Sequence, residues 1–305
     1  MTTAYLAAEG LGAQLREELR RADIVVAAEH GRLLITEAPA ISSAWAANTW
    51  RDCIEWPVES IGNAAKALRG LQRNWAMYAP VYHRRAALIQ EKLPHVSAKP
   101  IVFPTAAPTA ALGSWTLLAP DRMLAAADCS APFPNGEVTL VEDRTGPPNR
   151  AYLKLWETLI RLRRFPGPGE RCLDLGASPG GWTYVLGKLG AEVIAVDKAP
   201  LDPAVAALPG VSWRGESAFA LDPASVGPVD WLFSDIICYP ARLLRLVERW
   251  RESGLVKNFV CTLKFQGETD HESARAFAAF PGAQVLHLHY NKHELTFMLT
   301  SEAGT

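Results

Sequence analysis

The sequence predicts an α/β chain. Residues 131–305 read as a mostly parallel sheet with helices on both faces and one antiparallel strand, and residues 1–130 as a smaller α+β domain. Three observations point there. After "GPPNR" the chain alternates short apolar runs with helical ones, the pattern of a parallel sheet covered on both sides. The last two strand patterns, "AQVLHLHY" and "ELTFMLT", are parted only by "NKH". That is too short for a crossover helix and makes them an antiparallel hairpin. Before residue 130 there is no internal repeat, and short strands, helices and proline-rich segments are mixed.

From the start, "AYLAAEG" reads as a strand, "AQLREELRRA" as an amphipathic helix, and "DIVVAAEHGRLLITEA" as a hairpin turning near "EHG". Residues 59–93 read as largely helical, with a break near "MYAPVY". Lys99 to Thr145 is rich in proline and alanine but keeps apolar residues throughout, including the strand-like "GSWTLLA", so it reads as ordered periphery. "AYLKLWETLIRLRR" has helical spacing. Then follow the strands "RCLDLG", "EVIAVD", "VSWRG", "VDWLFSD" and "NFVCTLK", with the helices "GWTYVLGKLG", "PARLLRLVERWRESG" and "ESARAFAAF" between them. In such sheets a ligand sits outside the carboxyl ends of the strands, near the switch in strand order.

The turn after "RCL" reads Asp174, Leu175, Gly176, Ala177, Ser178, Pro179, Gly180, Gly181, Trp182. Glycine permits positive φ and close backbone approach, and the helix that follows offers free N–H groups. The spacing G-x-x-x-G-G departs from the G-x-G-x-x-G of dinucleotide sites. Asp197 ends the next strand, where a carboxylate can accept bonds from two ribose hydroxyls. An adenosine-type ligand without a pyrophosphate fits best, and S-adenosylmethionine is the expected cofactor. The strand order then matches a Rossmann-like methyltransferase.

Composition bounds the rest. The chain has 305 residues, 49% hydrophobic and 21% charged, with a formal net charge of −1. No global field advertises a polyanion, so an RNA partner must be held by a local patch. Residues 60–99 offer one: Lys66, Arg69, Arg73, Arg84, Arg85, Lys92 and Lys99 against the single acid Glu91, with Trp75, Tyr78 and Tyr82 interleaved. A solvated helix face over an aromatic core explains the same residues. The cysteines Cys53, Cys129, Cys172, Cys238 and Cys261 are odd in number and widely spaced. They predict a reducing, cytoplasmic setting. No secretory signal or membrane span is read, and no DNA or obligate protein partner is expected. His287, His289 and His293 cluster near the end without a convincing fourth ligand, so no metal is expected.

"LDLGASPGGWTY" followed by "VIAVDKAP" resembles the FtsJ-like ribose 2′-O-methyltransferases. "PPNRAYLKLWE", "FSDIICYP" and "CTLKFQG" resemble the RlmM type within that family. The resemblance implies methyl transfer to a cytidine 2′-oxygen in large-subunit ribosomal RNA. It carries the family's catalytic tetrad onto Lys154, Asp235, Lys264 and Glu294. The family's adenine-facing aspartate is missing from "RGESAF", so Glu216 or Ser217 is expected in its place. RlmM-type enzymes carry a longer N-terminal region with a THUMP module, and the opening of this chain resembles its first part.

Methyl transfer from a sulfonium is an in-line displacement, so positioning supplies much of the rate. A ribose hydroxyl must also lose its proton, and a lysine can take it only as the neutral amine. Desolvation, a second lysine and the sulfonium favour that form, whereas neighbouring carboxylates oppose it. The resemblance casts Lys264 as the base, Asp235 as its orienter, and Lys154 and Glu294 as holders of the ribose and the charge balance. Three other readings stay open: a pyrimidine-base methyltransferase with Cys261 or Cys238 as nucleophile, a non-catalytic RNA-binding factor on the same fold, and a nicotinamide oxidoreductase.

Overall fold

The computed structural model describes residues 1–97 and 99–301. The chain forms two compact units, one of Met1–Ile101 with Ala107–Thr139 and one of Val102–Ala106 with the chain from Leu140 onward. Residues 302–305, the end of the expected second domain, lie outside the described residues.

The first unit runs β1 (Thr3–Ala7), α1 (Gly12–Arg21), β2 (Val26–His30), β3 (Leu33–Thr36), β4 (Ala46–Arg51), β5 (Ile54–Pro57), α2 (Ile61–Leu71), β6 (Trp75–Met77), α3 (His83–Gln90), β7 (Gly113–Ala119), β8 (Arg122–Ala126) and β9 (Asp128–Cys129). It holds two sheets, ordered β2-β3-β1-β4-β9 and β5-β8-β7-β6. The β2–β3 hairpin turns at Gly31, whose φ of +62° suits glycine. Where the sequence reading has only a break between two helices, the chain forms β6. Trp75 draws it into the core, and its indole N–H donates to the Leu68 and Gln72 carbonyls at 3.0 Å each. Residues 131–139, read from sequence as part of the second domain, pack in the first unit. Phe133 and Val138 are buried, Ala131 N donates to Asn48 Oδ1 at 3.1 Å, and Ile101 N donates to Thr139 O at 2.8 Å.

The second unit runs α4 (Tyr152–Leu162), β10 (Arg171–Leu175), α5 (Gly181–Lys188), β11 (Glu192–Val196), α6 (Pro203–Ala206), β12 (Val211–Arg214), α7 (Pro223–Val226), β13 (Val229–Ser234), α8 (Pro240–Glu252), β14 (Val256–Lys264), α9 (His271–Ala278), β15 (Gln284–Leu286) and β16 (Glu294–Thr300). Its seven-stranded sheet is ordered β12-β11-β10-β13-β14-β16-β15. The first five strands are parallel, and β16 runs antiparallel to both neighbours, as the short connection predicts. β16 is an inner strand, between β14 and β15. Val102–Ala106 joins this unit because Phe103 stacks on Trp156 with centroids 4.7 Å apart. Among the described residues no helix is long and apolar enough to cross a membrane.

The run "AQVLHLHY" shortens to Gln284–Leu286 for a specific reason. Glu157 on α4 is fully buried, and its carboxylate accepts from His289 N at 3.0 Å and Tyr290 N at 3.1 Å. Those N–H groups are therefore not offered to a strand ladder. Arg161 Nε completes the set at 2.8 Å. Removing one partner of a buried charge pair typically costs about 3–5 kcal/mol. Glu157→Ala should destabilise the chain by about that amount in urea unfolding, and Glu157→Gln by less, since the amide oxygen still accepts a bond.

Asp174 is the other buried acid of the sheet. Thr183 Oγ1 donates to its Oδ2 at 2.6 Å. Burial first, and then the charges of Asp235 and Asp197, push its carboxyl up to about 7, against the Thr183 bond that lowers it. Between about pH 4, where an unfolded aspartate titrates, and about pH 7, the folded chain binds this proton and the unfolded chain does not. The group's contribution to stability is therefore full at low pH and declines as pH rises through that window. Asp174→Asn should flatten that decline, so its stability relative to wild type should improve from pH 4 to pH 7 in denaturation series.

Candidate active site

The sheet order reverses between β10 and β13, and a cavity of about 380 Å³ opens at their carboxyl ends. Of the residues expected at the cofactor, Gly176, Ala177, Ser178, Gly181, Trp182, Asp197 and Asp235 line it. Lys264 lines it too. Pro179, Gly180, Glu216 and Ser217 are not among the lining residues, and Glu216 is exposed beyond β12. Four further walls were missed from sequence: Asn149, Ala151, Asp174 and the Ile236–Ile237 pair. Asp174 had a signal, a lone charge within the apolar "CLDL". Asn149 had a weaker one, as a turn residue two places before the α4 approach. Its Oδ1 accepts from Ala151 N at 3.0 Å.

The glycines shape the wall by letting protein close on protein. Gly176 has φ +78°, and a Cβ there would lie 2.9 Å from Ile236 Cβ. Gly180 has φ +114°, and a Cβ would lie 2.9 Å from Val205 Cγ1. Trp182 serves two settings at once. It lines the cavity, donates from Nε1 to Ala151 O at 2.9 Å, and meets Phe233 edge-on.

Asp197 is held from behind, with Ser178 N donating to Oδ2 at 3.1 Å and Ala199 N to Oδ1 at 3.0 Å. Each oxygen keeps accepting capacity for a ligand hydroxyl. Asp197 and Asp235 face a single lysine around the cavity, and the buried Asp174, its carboxyl pushed up to about 7, adds only part of a charge at neutral pH. That balance repels a pyrophosphate and suits a ligand carrying a positive sulfonium, so the residues present fit S-adenosylmethionine better than a nicotinamide dinucleotide.

Lys154, Asp235, Lys264 and Glu294 meet at one edge of this cavity. Lys154 Nζ lies 2.7 Å from Asp235 Oδ1 and 3.0 Å from Glu294 Oε1. Lys264 Nζ lies 3.1 Å from the same Asp235 oxygen and also donates to the Asp235 carbonyl. Four elements deliver them. Lys154 comes from α4, whose residues Tyr152 to Ile160 are all buried. Asp235 follows β13, and Lys264 and Glu294 are register partners across β14 and β16. Two ammonium groups and two carboxylates thus balance in a largely dry corner. Lys264 and Asp235 reach the cavity, while Lys154 and Glu294 do not line it.

The competing features have structural settings. Cys261 is fully buried and Cys238 nearly so, neither lines the cavity, and burial pushes both thiols up, away from the thiolate a nucleophile needs. His287 is bonded to the Lys292 carbonyl, and His293 to Thr269 Oγ1 at 2.7 Å. Among the described residues no group of three or more His, Cys, Asp or Glu side chains could hold a metal. In the basic stretch, Trp75 and Tyr78 are core residues, and only Tyr82 of the three aromatics is exposed. Arg161 pairs with Glu157, and Arg164 sits over Trp231.

Residues 147–274 match the FtsJ-like methyltransferase family model. Ribosomal RNA large subunit methyltransferase M of Halorhodospira halophila is 38% identical over 146 residues, covering 47% of this chain and 42% of the relative. The protein of the same name from Xanthomonas campestris is 30% identical over 220 residues, covering 68% of this chain and 58% of the relative. The chain thus spans about half the length of the relatives it matches. Among solved structures, TrmN from Thermus thermophilus aligns at a TM-score of 0.39 and 15% identity, covering 98% of this chain and 99% of its own. At residues 147–274 the chain is therefore similar to the FtsJ-like methyltransferases, and the cavity residues suit S-adenosylmethionine.

Proposed function

We propose that this chain transfers a methyl group from S-adenosylmethionine to a ribose 2′-hydroxyl of RNA, at a cytidine of large-subunit ribosomal RNA. The observation that carries this reading is the convergence of Lys154, Asp235, Lys264 and Glu294 at the cofactor cavity. The names of the relatives support the RNA class, and the sequence resemblance supports the ribose oxygen.

The cofactor, when bound, supplies an electrophilic methyl on a positively charged sulfur. The protein's part is to hold the hydroxyl in line and remove its proton. Lys264 is better suited to this than Lys154. Lys154 is pinned between two carboxylates, whereas Lys264 faces one that is already shared, and it alone of the two lysines lines the cavity. As the neutral amine, Lys264 Nζ would take the hydroxyl proton while the methyl passes from sulfur to oxygen, and would later lose it to solvent. Asp235 fixes Lys264 through both its carboxylate and its carbonyl. Lys154 and Glu294 hold Asp235 in place and keep the corner neutral. Residues 1–130 add an exposed basic face at Lys66, Arg69, Arg73 and Arg84 that suits backbone phosphates. The cytoplasm, where ribosomal RNA is modified, is the setting this reading implies.

Labelled S-adenosylmethionine, incubated with the chain and unmodified large-subunit RNA, should leave its label on a ribose that resists alkaline cleavage at that position. A methylated base there would overturn the mechanism. Lys264→Ala should lower kcat by at least 100-fold and leave cofactor affinity by calorimetry within a few-fold. Cys261→Ala should retain transfer; loss of activity in a folded variant would favour the thiol route.

A further inference from the structure

The loop after β13 leaves two large apolar side chains in water, two and four residues after Asp235. Ile237 is 76% exposed and Tyr239 65% exposed, while Cys238 between them is buried. Ile237 also walls the cavity that Asp235 and Lys264 line. Neither side chain gains burial for the fold. Tyr239 moreover occupies the N-cap of α8, where Ser, Thr, Asp and Asn are favoured because they bond the free N–H groups. It makes no side-chain capping bond there. Elsewhere in the same unit, Asp202, Asp222 and Asp270 cap α6, α7 and α9, while α4 and α5, like α8, have no side-chain cap. At α8 the chain forgoes that stabilisation and places an aromatic ring in solvent, four residues from Asp235.

We propose that Ile237 and Tyr239 form the platform on which the base of the acceptor nucleotide stacks. This rests on the RNA reading above. A ribose enters a cavity beside Lys264 only if its nucleotide leaves the neighbouring stack. The exposed base then needs an apolar surface, and aromatic rings serve that purpose for unpaired RNA bases. Stacking on Tyr239 with Ile237 at the cavity edge brings the attached 2′-hydroxyl toward Lys264. The ligand class is a single-stranded, unstacked ribonucleotide.

The test uses the full chain and a fluorescein-labelled single-stranded fragment of large-subunit RNA. Tyr239→Ala should weaken its dissociation constant and raise the RNA KM by roughly tenfold or more, with cofactor affinity unchanged. Tyr239→Phe and Tyr239→Trp should restore binding. Tyr239→Ser, which can cap α8, should keep or raise the melting temperature yet share the RNA defect, a split that a structural role for the ring does not produce. Unchanged RNA affinity in Tyr239→Ala, or failure of Phe and Trp to rescue, overturns the platform. Should wild type bind this RNA through Tyr239 but methylate no ribose, the catalytic reading falls and the platform stands.

Discussion

One carboxylate organises the second unit. Asp235 Oδ1 accepts from Lys154 and lies 3.1 Å from Lys264, so a single oxygen at the end of β13 ties the helix before the sheet to β14. Charges this sheltered are costly unless paired with good geometry. Lys154 is 8% exposed and Glu294 8% exposed, so neither has water enough to stand alone. The four groups therefore constrain one another. α4 must lie where its third residue reaches the end of β13, and β16 must keep the register that sets Glu294 opposite Lys264. An antiparallel strand between two parallel ones is what brings a second carboxylate to this end of the sheet.

Glu157 enforces the same placement one turn along α4. It holds the chain after β15 through two backbone N–H groups, and thereby fixes the entry to β16. Lys154 and Glu157 are the charged side chains of the buried stretch Tyr152–Ile160. Each is spent on a different segment: Lys154 on the corner it shares with Asp235 and Glu294, Glu157 on the loop that leads to Glu294. The corner where the four charges meet is thus braced by an ion pair, Glu157 with Arg161, that does not line the cavity.

Much of this was legible in the residues. The alternation of strands and helices, the single antiparallel strand and the turn at Gly176 to Trp182 follow from period and spacing, because one face or both faces of each element are buried. The meeting of Lys154 with Lys264, 110 positions later, does not; it follows from register and helix placement, which no local pattern encodes. Local reading also misplaced what tertiary contacts decide. β6 forms because Trp75 is pulled inward, "AQVLHLHY" stops short because Glu157 takes its N–H groups, and residues 131–139 pack against Asn48 in the first unit. Asp174 looked like a landmark of the turn and proved to be a buried acid on the cavity wall.

The chemistry of the cavity explains why a glycine-rich turn here takes a sulfonium and not a pyrophosphate. A turn that cradles phosphates presents bare N–H groups to the ligand. Here two of the N–H groups beside the cavity, those of Ser178 and Ala199, are already taken by Asp197. The turn therefore offers the ligand carboxylate oxygens in place of amide hydrogens. Gly176 and Gly180 do not open the wall further, since the space a Cβ would take is met by Ile236 and Val205. What remains is an anionic cavity with one amine at its edge. That arrangement attracts a cationic methyl donor, and it leaves Lys264 as the group able to take a proton from whatever hydroxyl is brought there.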